Sequence, residues 1–168
     1  VVIADNAYVE RGVYGGGSYG YCPTDKTANI YITGGTVDGK AGGVNGTSYQ
    51  SNIQGGVYGG ACQNKGGSVN IFMTGGTVNG GIYGGSNASG VISGNVNIKI
   101  LGGQVGTSSA VANVHGGGYG SSTIVTNNIE ITLDNSSRDS DGAIIYGDVY
   151  GGSALGNVNC SFTNDTYQ

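Results

Sequence analysis

Between residues 69 and 74 the chain reads VNIFMT, with apolar Val69, Ile71 and Met73 alternating with Asn70, Phe72 and Thr74. The pattern returns at 28–33 (ANIYIT), 96–101 (VNIKIL), 127–132 (NNIEIT) and 158–163 (VNCSFT), with a degenerate SNIQ at 51–54. Successive side chains of an extended backbone point to opposite faces. An apolar period of two therefore predicts strands with one buried face. The expected inward sets are Val69/Ile71/Met73, Ala28/Ile30/Ile32, Val96/Ile98/Ile100 and Val158/Cys160/Phe162. Cys160 stands where the other strands carry Ile30, Ile71, Ile98 and Ile129, and reads as a small buried hydrophobe.

Two further elements recur with these strands. One is an aromatic followed by paired glycines, at Tyr14, Tyr58, Tyr83, His115 and Tyr150, with KAGGV (40–44) as a worn copy. The other is TGGTV (33–37 and 74–78) or LGGQV (101–105), directly after the alternating strand. The strand asparagines Asn29, Asn52, Asn70, Asn97, Asn128 and Asn159 are 23, 18, 27, 31 and 31 residues apart. Units this short cannot bury their own apolar face, but a stack of them can. They are also too short for propeller blades, which need four strands and about 40 residues. The expected fold is all-β: a single-domain parallel β-solenoid over 1–168, of the right-handed β-helix type. It would have about six coils, with the repeat region covering about 12–163.

Stacking would place equivalent residues about 4.8 Å apart. The six asparagines should then form a side-chain ladder, at about 1 kcal/mol per hydrogen bond. A second outward column should run Tyr31, Phe72, Lys99, Glu130, Ser161, with Lys99 and Glu130 as an exposed ion pair worth about 0.2–1 kcal/mol. The aromatic column has two readings. Exposed, its rings offer sugar-stacking faces and form a ligand-binding column; packed on neighbouring glycines, it serves stability alone. Val78 and Ile82 should point inward, and the glycine pairs at 75–76, 80–81 and 84–85 should mark corners or close approaches.

Composition narrows function mainly by exclusion. The 168 residues include 37 glycines, one proline and no tryptophan, and the glycines lack the every-third-position spacing of collagen. Net charge is −4 with six scattered Lys and Arg, which argues against nucleic acid and anionic membrane surfaces. No apolar run is long enough to insert in a membrane. The opening VVIADNAYVERG lacks both an initiator Met and a signal-peptide pattern, so the expectation is a mature or excised piece of a longer chain. Cys22 and Cys62 have no CxxC and no histidine neighbours. A disulfide between adjacent loops and two unpaired thiols are both open readings.

The repeating GGxVxGxVYGG units, over about residues 12–163, resemble the Gly-rich repeats of bacterial surface proteins, including adhesin-like and autotransporter-passenger-like β-helices. The resemblance implies an exported protein held at a cell surface, often as one segment of a longer chain. It brings no catalytic motif.

The acids do not assemble a catalytic set in the sequence. Only DNSSRDSDG (134–142) concentrates them, and its Asp139 and Asp141 supply half of a calcium-loop pattern without the remaining ligands. A solvated turn is the first reading of that segment, a weak calcium site the second, and an acid working beside Arg138 the third. His115, the lone histidine, has no nucleophile or orienting acid beside it in sequence and reads as one aromatic replacing another. The expected function is an extracellular, non-enzymatic surface module: an adhesin-like or stalk β-helix contacting carbohydrate or a surface protein, with no cofactor and with end-to-end self-association of the stack. The alternatives are a β-helix polysaccharide lyase or glycoside hydrolase, which needs a groove holding two acids, and an ice-binding solenoid. The latter needs repeated Thr-x-Thr, whereas Thr33, Thr74, Thr132 and Thr163 each follow a strand singly.

Overall fold

The computed structural model describes residues 1–20, 22–40, 55–134 and 142–158, and the backbone of 162–163 and 166–167. Asn52, Asp139, Asp141, Asn159, Cys160 and Arg138 lie outside the described residues, as does most of the worn KAGGV copy.

Every strand is short or carries a glycine interruption, and no helix occurs among the described residues. The chain opens with β1 (Val2–Ile3) and β2 (Tyr8–Val9), followed by β3 (Gly12–Tyr14) and β4 (Thr27–Val37). Next come β5 (Gly56–Tyr58) and β6 (Ser68–Val78), then β7 (Ile82–Tyr83), β8 (Ser89–Ile92) and β9 (Val96–Val105). The last third contains β10 (Val114–His115), β11 (Ser122–Val125), β12 (Ile129–Leu133), β13 (Ile144–Ile145), β14 (Val149–Tyr150) and β15 (Asn157–Val158). It ends with β16 (Phe162–Thr163) and β17 (Thr166–Tyr167).

Three parallel sheets gather the equivalent strands of successive units. The long sheet has the order β1-β4-β6-β9-β12, with β2 also on β4 and β13 also on β9. The aromatic sheet runs β3-β5-β7-β10-β14, and the short sheet β8-β11-β15. The alternation read from the sequence sets the faces. Ile30, Ile71 and Ile98 pair in register, as do Ile32, Met73 and Ile100, and all six are buried. They join Val57, Ile82 and Val114 of the aromatic sheet and Ile92 and Val125 of the short sheet in one apolar core. Each such side chain contributes about 1.5–3 kcal/mol of burial.

Of the expected corners or close approaches, Gly75–Gly76 is a close approach: β6 runs through it as one strand, with register shifts between Met73 and Thr77 where it meets β9, and a Cβ on either glycine would strike a carbonyl oxygen of β4. Gly35, Gly76 and Gly103 sit at equivalent places with φ of +72°, +82° and +84°. A residue with a Cβ is strained there, so glycine lets three stacked strands bend together.

One expectation to be corrected concerns register. Ile129 pairs with Val96 and Glu130 with Asn97, two residues away from the alignment that the asparagines suggest. Lys99 therefore stands opposite Thr132 instead of Glu130, and the expected ion pair does not form. The cause lies upstream. Val125 pairs with Ile92, and three residues then lead into each long-sheet strand, so Asn128 falls before β12 begins.

A second correction concerns 158–163, read as a single strand of the long-sheet type. Val158 instead pairs with Val125 in the short sheet, and Phe162–Thr163 pairs antiparallel with Thr166–Tyr167.

Candidate functional site

The aromatic column forms as expected from the repeat, and its rings lie nearly parallel. Centroids are 5.2 Å apart for Tyr14–Tyr58, 4.8 Å for Tyr58–Tyr83, 5.3 Å for Tyr83–His115 and 4.7 Å for His115–Tyr150, with interplanar angles of 4–12°. What makes this stack possible is the glycine pair after each ring. A Cβ on Gly59, Gly84 or Gly116 would run into the carbonyl oxygen of the next unit's glycine. The backbones can reach strand spacing only because no side chain stands between them.

Stacking uses up the ring faces. Tyr58 is 0% exposed, Tyr83 and His115 are buried, and Tyr119 packs edge-on against Tyr83 at 5.4 Å. The Tyr14 hydroxyl accepts a hydrogen bond from Asn87 Nδ2 (3.1 Å). Burial pushes the Tyr14 and Tyr83 hydroxyls up to about 12 and raises Tyr58 as well, so all three stay protonated. Burial also lowers the pKa of His115, whose Nδ1 has no hydrogen-bond partner among the described residues. As an array of open sugar platforms, the column is therefore unsuited. Only the end ring, Tyr150, is well exposed (44%), with its hydroxyl bonded to Asp148 (2.9 Å).

The exposed face that presents both aromatic and polar groups is the outer side of the long sheet. Asn70 Nδ2 donates to Asn29 Oδ1 at 2.9 Å, and Asn97 Nδ2 donates to Asn70 Oδ1 at 3.0 Å. The ladder stops there, because the register puts Glu130, not Asn128, beside Asn97. Two residues along each strand, Val2, Tyr31, Phe72 and Lys99 line up on the same face. Tyr31 is 43% exposed and meets Phe72 edge-on at 6.4 Å. Further along, a shallow polar concavity of about 610 Å³ opens over Thr74–Thr77, Gly103, Gln104 and Ile144, where the glycine bends displace the strands. The outward column was readable from alternation, but its role as the accessible aromatic surface was not.

A charged cluster was missed altogether. Tyr8 donates to Asp38 Oδ2 (2.7 Å), Asn79 Nδ2 donates to Asp38 Oδ1 (3.1 Å), and Lys40 lies between Asp38 (3.2 Å) and Glu10 (3.4 Å). The hydrogen bond from Tyr8 holds the Asp38 carboxyl below its usual range, and the same bond raises Tyr8. Tyr8 thus remains a phenol and Asp38 a carboxylate, so the cluster sets opposite charges side by side at neutral pH. The sequence carried no signal for it: Tyr8 lies in β2, Glu10 just after it, and Asp38 and Lys40 beyond the end of β4. Their meeting depends on β2 pairing with β4.

Cys22 and Cys62 are both free thiols. Burial raises the Cys62 thiol, making it an inert small side chain. Among the described residues no group of three or more His, Cys, Asp or Glu side chains comes together to hold a metal, and no helix is long and apolar enough to cross a membrane. No family model, curated protein or solved structure matches the chain.

Proposed function

We propose that the chain winds as a parallel β-solenoid of about six coils, and that it works as a non-enzymatic surface module outside the cell. Equivalent strands of successive units pairing in parallel within three sheets support the winding. The resemblance of the GGxVxGxVYGG units to adhesin-like and autotransporter-passenger-like repeats supports the location. In this reading the module contacts carbohydrate through the outer face of its long sheet.

The observation that carries the reading is the pairing of an aromatic edge with a fixed polar ladder. Tyr31 and Phe72 offer apolar ring surface beside the amides of Asn29, Asn70 and Asn97. Sugar rings have an apolar face and a rim of hydroxyls, and such a surface matches both. Because the amides already bond one another across neighbouring strands, a bound chain would find them ordered, at little further entropic cost.

Binding to a panel of immobilised glycans tests this, with Tyr31→Ala/Phe72→Ala as the loss variant and His115→Phe as a control distant from the face. The double variant should lose binding that the control keeps. Failure of the unaltered protein to bind any glycan, or undiminished binding by the double variant, would refute the carbohydrate reading.

A further inference from the structure

The outer face of the long sheet carries two straight columns across the same strands. Asn29, Asn70, Asn97 and Glu130 pair in register across β4, β6, β9 and β12, and so do Tyr31, Phe72, Lys99 and Thr132. The carbohydrate reading above names no particular sugar. Resting on that reading, we propose that the glycan bound here is a neutral β-1,4-linked chain of glucose-configured sugars, laid across the strands so that one sugar meets one strand.

The straightness of the track is the first argument. The register shifts of the long sheet begin only after Ile32 and Met73, so both columns lie ahead of them. From strand to strand each column therefore advances by a constant step of about 4.8 Å. An extended β-1,4-linked chain advances by nearly the same step per sugar, so successive sugars stay in phase with successive strands. An α-1,4-linked chain curls and leaves a straight track after a few sugars.

The side chains fit the second property of such a chain, in which each sugar is turned over relative to the one before. The edge that faces the polar column alternates between two sets of hydroxyls, so every strand must offer both a donor and an acceptor. An asparagine amide supplies both. The ladder uses one of the two N–H groups of Asn70 and of Asn97, which leaves each amide a second donor. At β12 the Glu130 carboxylate takes the amide's place and accepts from hydroxyls. The ring of Tyr31, 43% exposed, the ring of Phe72 and the methylene stem of Lys99 provide the apolar side of the track. Alternate turning also brings both faces of the sugar onto these groups. Only a sugar with all its hydroxyls equatorial is apolar on both faces, and glucose has that configuration.

Charge selects a neutral chain over an acidic one. These four strands carry two charged side chains, Lys99 and Glu130, of opposite sign, and the whole chain has a net charge of −4. A polyuronate would meet one cation and, a strand further on, an anion.

Calorimetric titration with cellobiose, cellotriose and cellotetraose reads this out. Affinity should rise with each added sugar, by about tenfold or more from the dimer to the tetramer. Maltotetraose, β-1,4-mannotetraose, whose second hydroxyl is axial, and a β-1,4-linked tetraglucuronate should each bind about tenfold or more weaker than cellotetraose. Glu130→Ala, at an exposed position, should abolish the gain between three and four sugars. Equal affinity at all three lengths, a rival tetramer that binds as tightly as cellotetraose, or a Glu130→Ala variant that keeps the gain would overturn the proposal. If the cello-oligosaccharides fail while another glycan binds through Tyr31 and Phe72, this proposal falls and the carbohydrate reading stands. If no glycan binds at all, both fall.

Discussion

Replacing Tyr58 by alanine should destabilise the protein far more than replacing Tyr150, although both occupy one column of one repeat. Tyr58 is fully buried between Tyr14 at 5.2 Å and Tyr83 at 4.8 Å. A buried aromatic covers about 150–250 Å², which at about 25 cal/mol/Å² corresponds to roughly 4–6 kcal/mol before desolvation of the hydroxyl and the retained Cβ are subtracted. Two lost stacking partners add about 0.5–1.5 kcal/mol each. A loss of about 4 kcal/mol follows, within the usual cost of truncating a buried aromatic. Tyr150 is 44% exposed and, among the described residues, stacks on His115 alone, so its truncation should cost about 1 kcal/mol. Urea unfolding followed by far-UV circular dichroism measures both, and fluorescence of the 12 tyrosines, with no tryptophan to mask it, provides a second probe. In a thermal scan the difference of about 3 kcal/mol corresponds to about 6–12 °C. Equal losses at the two positions, or less than about 1.5 kcal/mol at Tyr58, would refute the view that stacking and burial at the column's centre hold the units together.

Two further outcomes follow from the same geometry. Asn70 makes two ladder bonds and Asn97 one, so Asn70→Ala should cost about 2 kcal/mol and Asn97→Ala about 1 kcal/mol, measured by urea unfolding; equal costs would remove the ladder as a stabilising device. Acidification should destabilise the protein through His115. Its folded pKa lies below the unfolded value of about 6.5, so the unfolded chain takes up the proton first. The stability contributed by the neutral ring is complete above about pH 6.5 and is lost as pH falls toward the folded pKa. His115→Phe should flatten that part of the stability–pH curve, and an unchanged curve would mean the ring is not held neutral.

Much of the architecture was legible in the chain because its signals were local and repeated. Alternation over Ala28–Ile32, Val69–Met73 and Val96–Ile100 named the strands and their inward residues. Recurrence of Tyr-Gly-Gly named the second set of strands and the order in which they pair. The site was less legible. Tyr58 and Tyr83 lie in segments of two or three residues, too short for alternation to say which side is covered. Their burial depends on Tyr119 and the segments after each glycine pair, which carry no repeating pattern.

By itself, the sequence determined that this is an all-β protein of parallel strands, with Ile30, Ile71 and Ile98 inward and Asn29, Asn70 and Asn97 outward. It did so because a period of two is a property of each extended segment alone. Tertiary structure decided the register of β12, the bend through Gly75–Gly76 and the covering of the aromatic column. A slip of two residues leaves every side chain on its original face, so alternation cannot tell Glu130 beside Lys99 from Glu130 beside Asn97. Only the distance from the short sheet, set by the pairing of Val125 with Ile92, separates them.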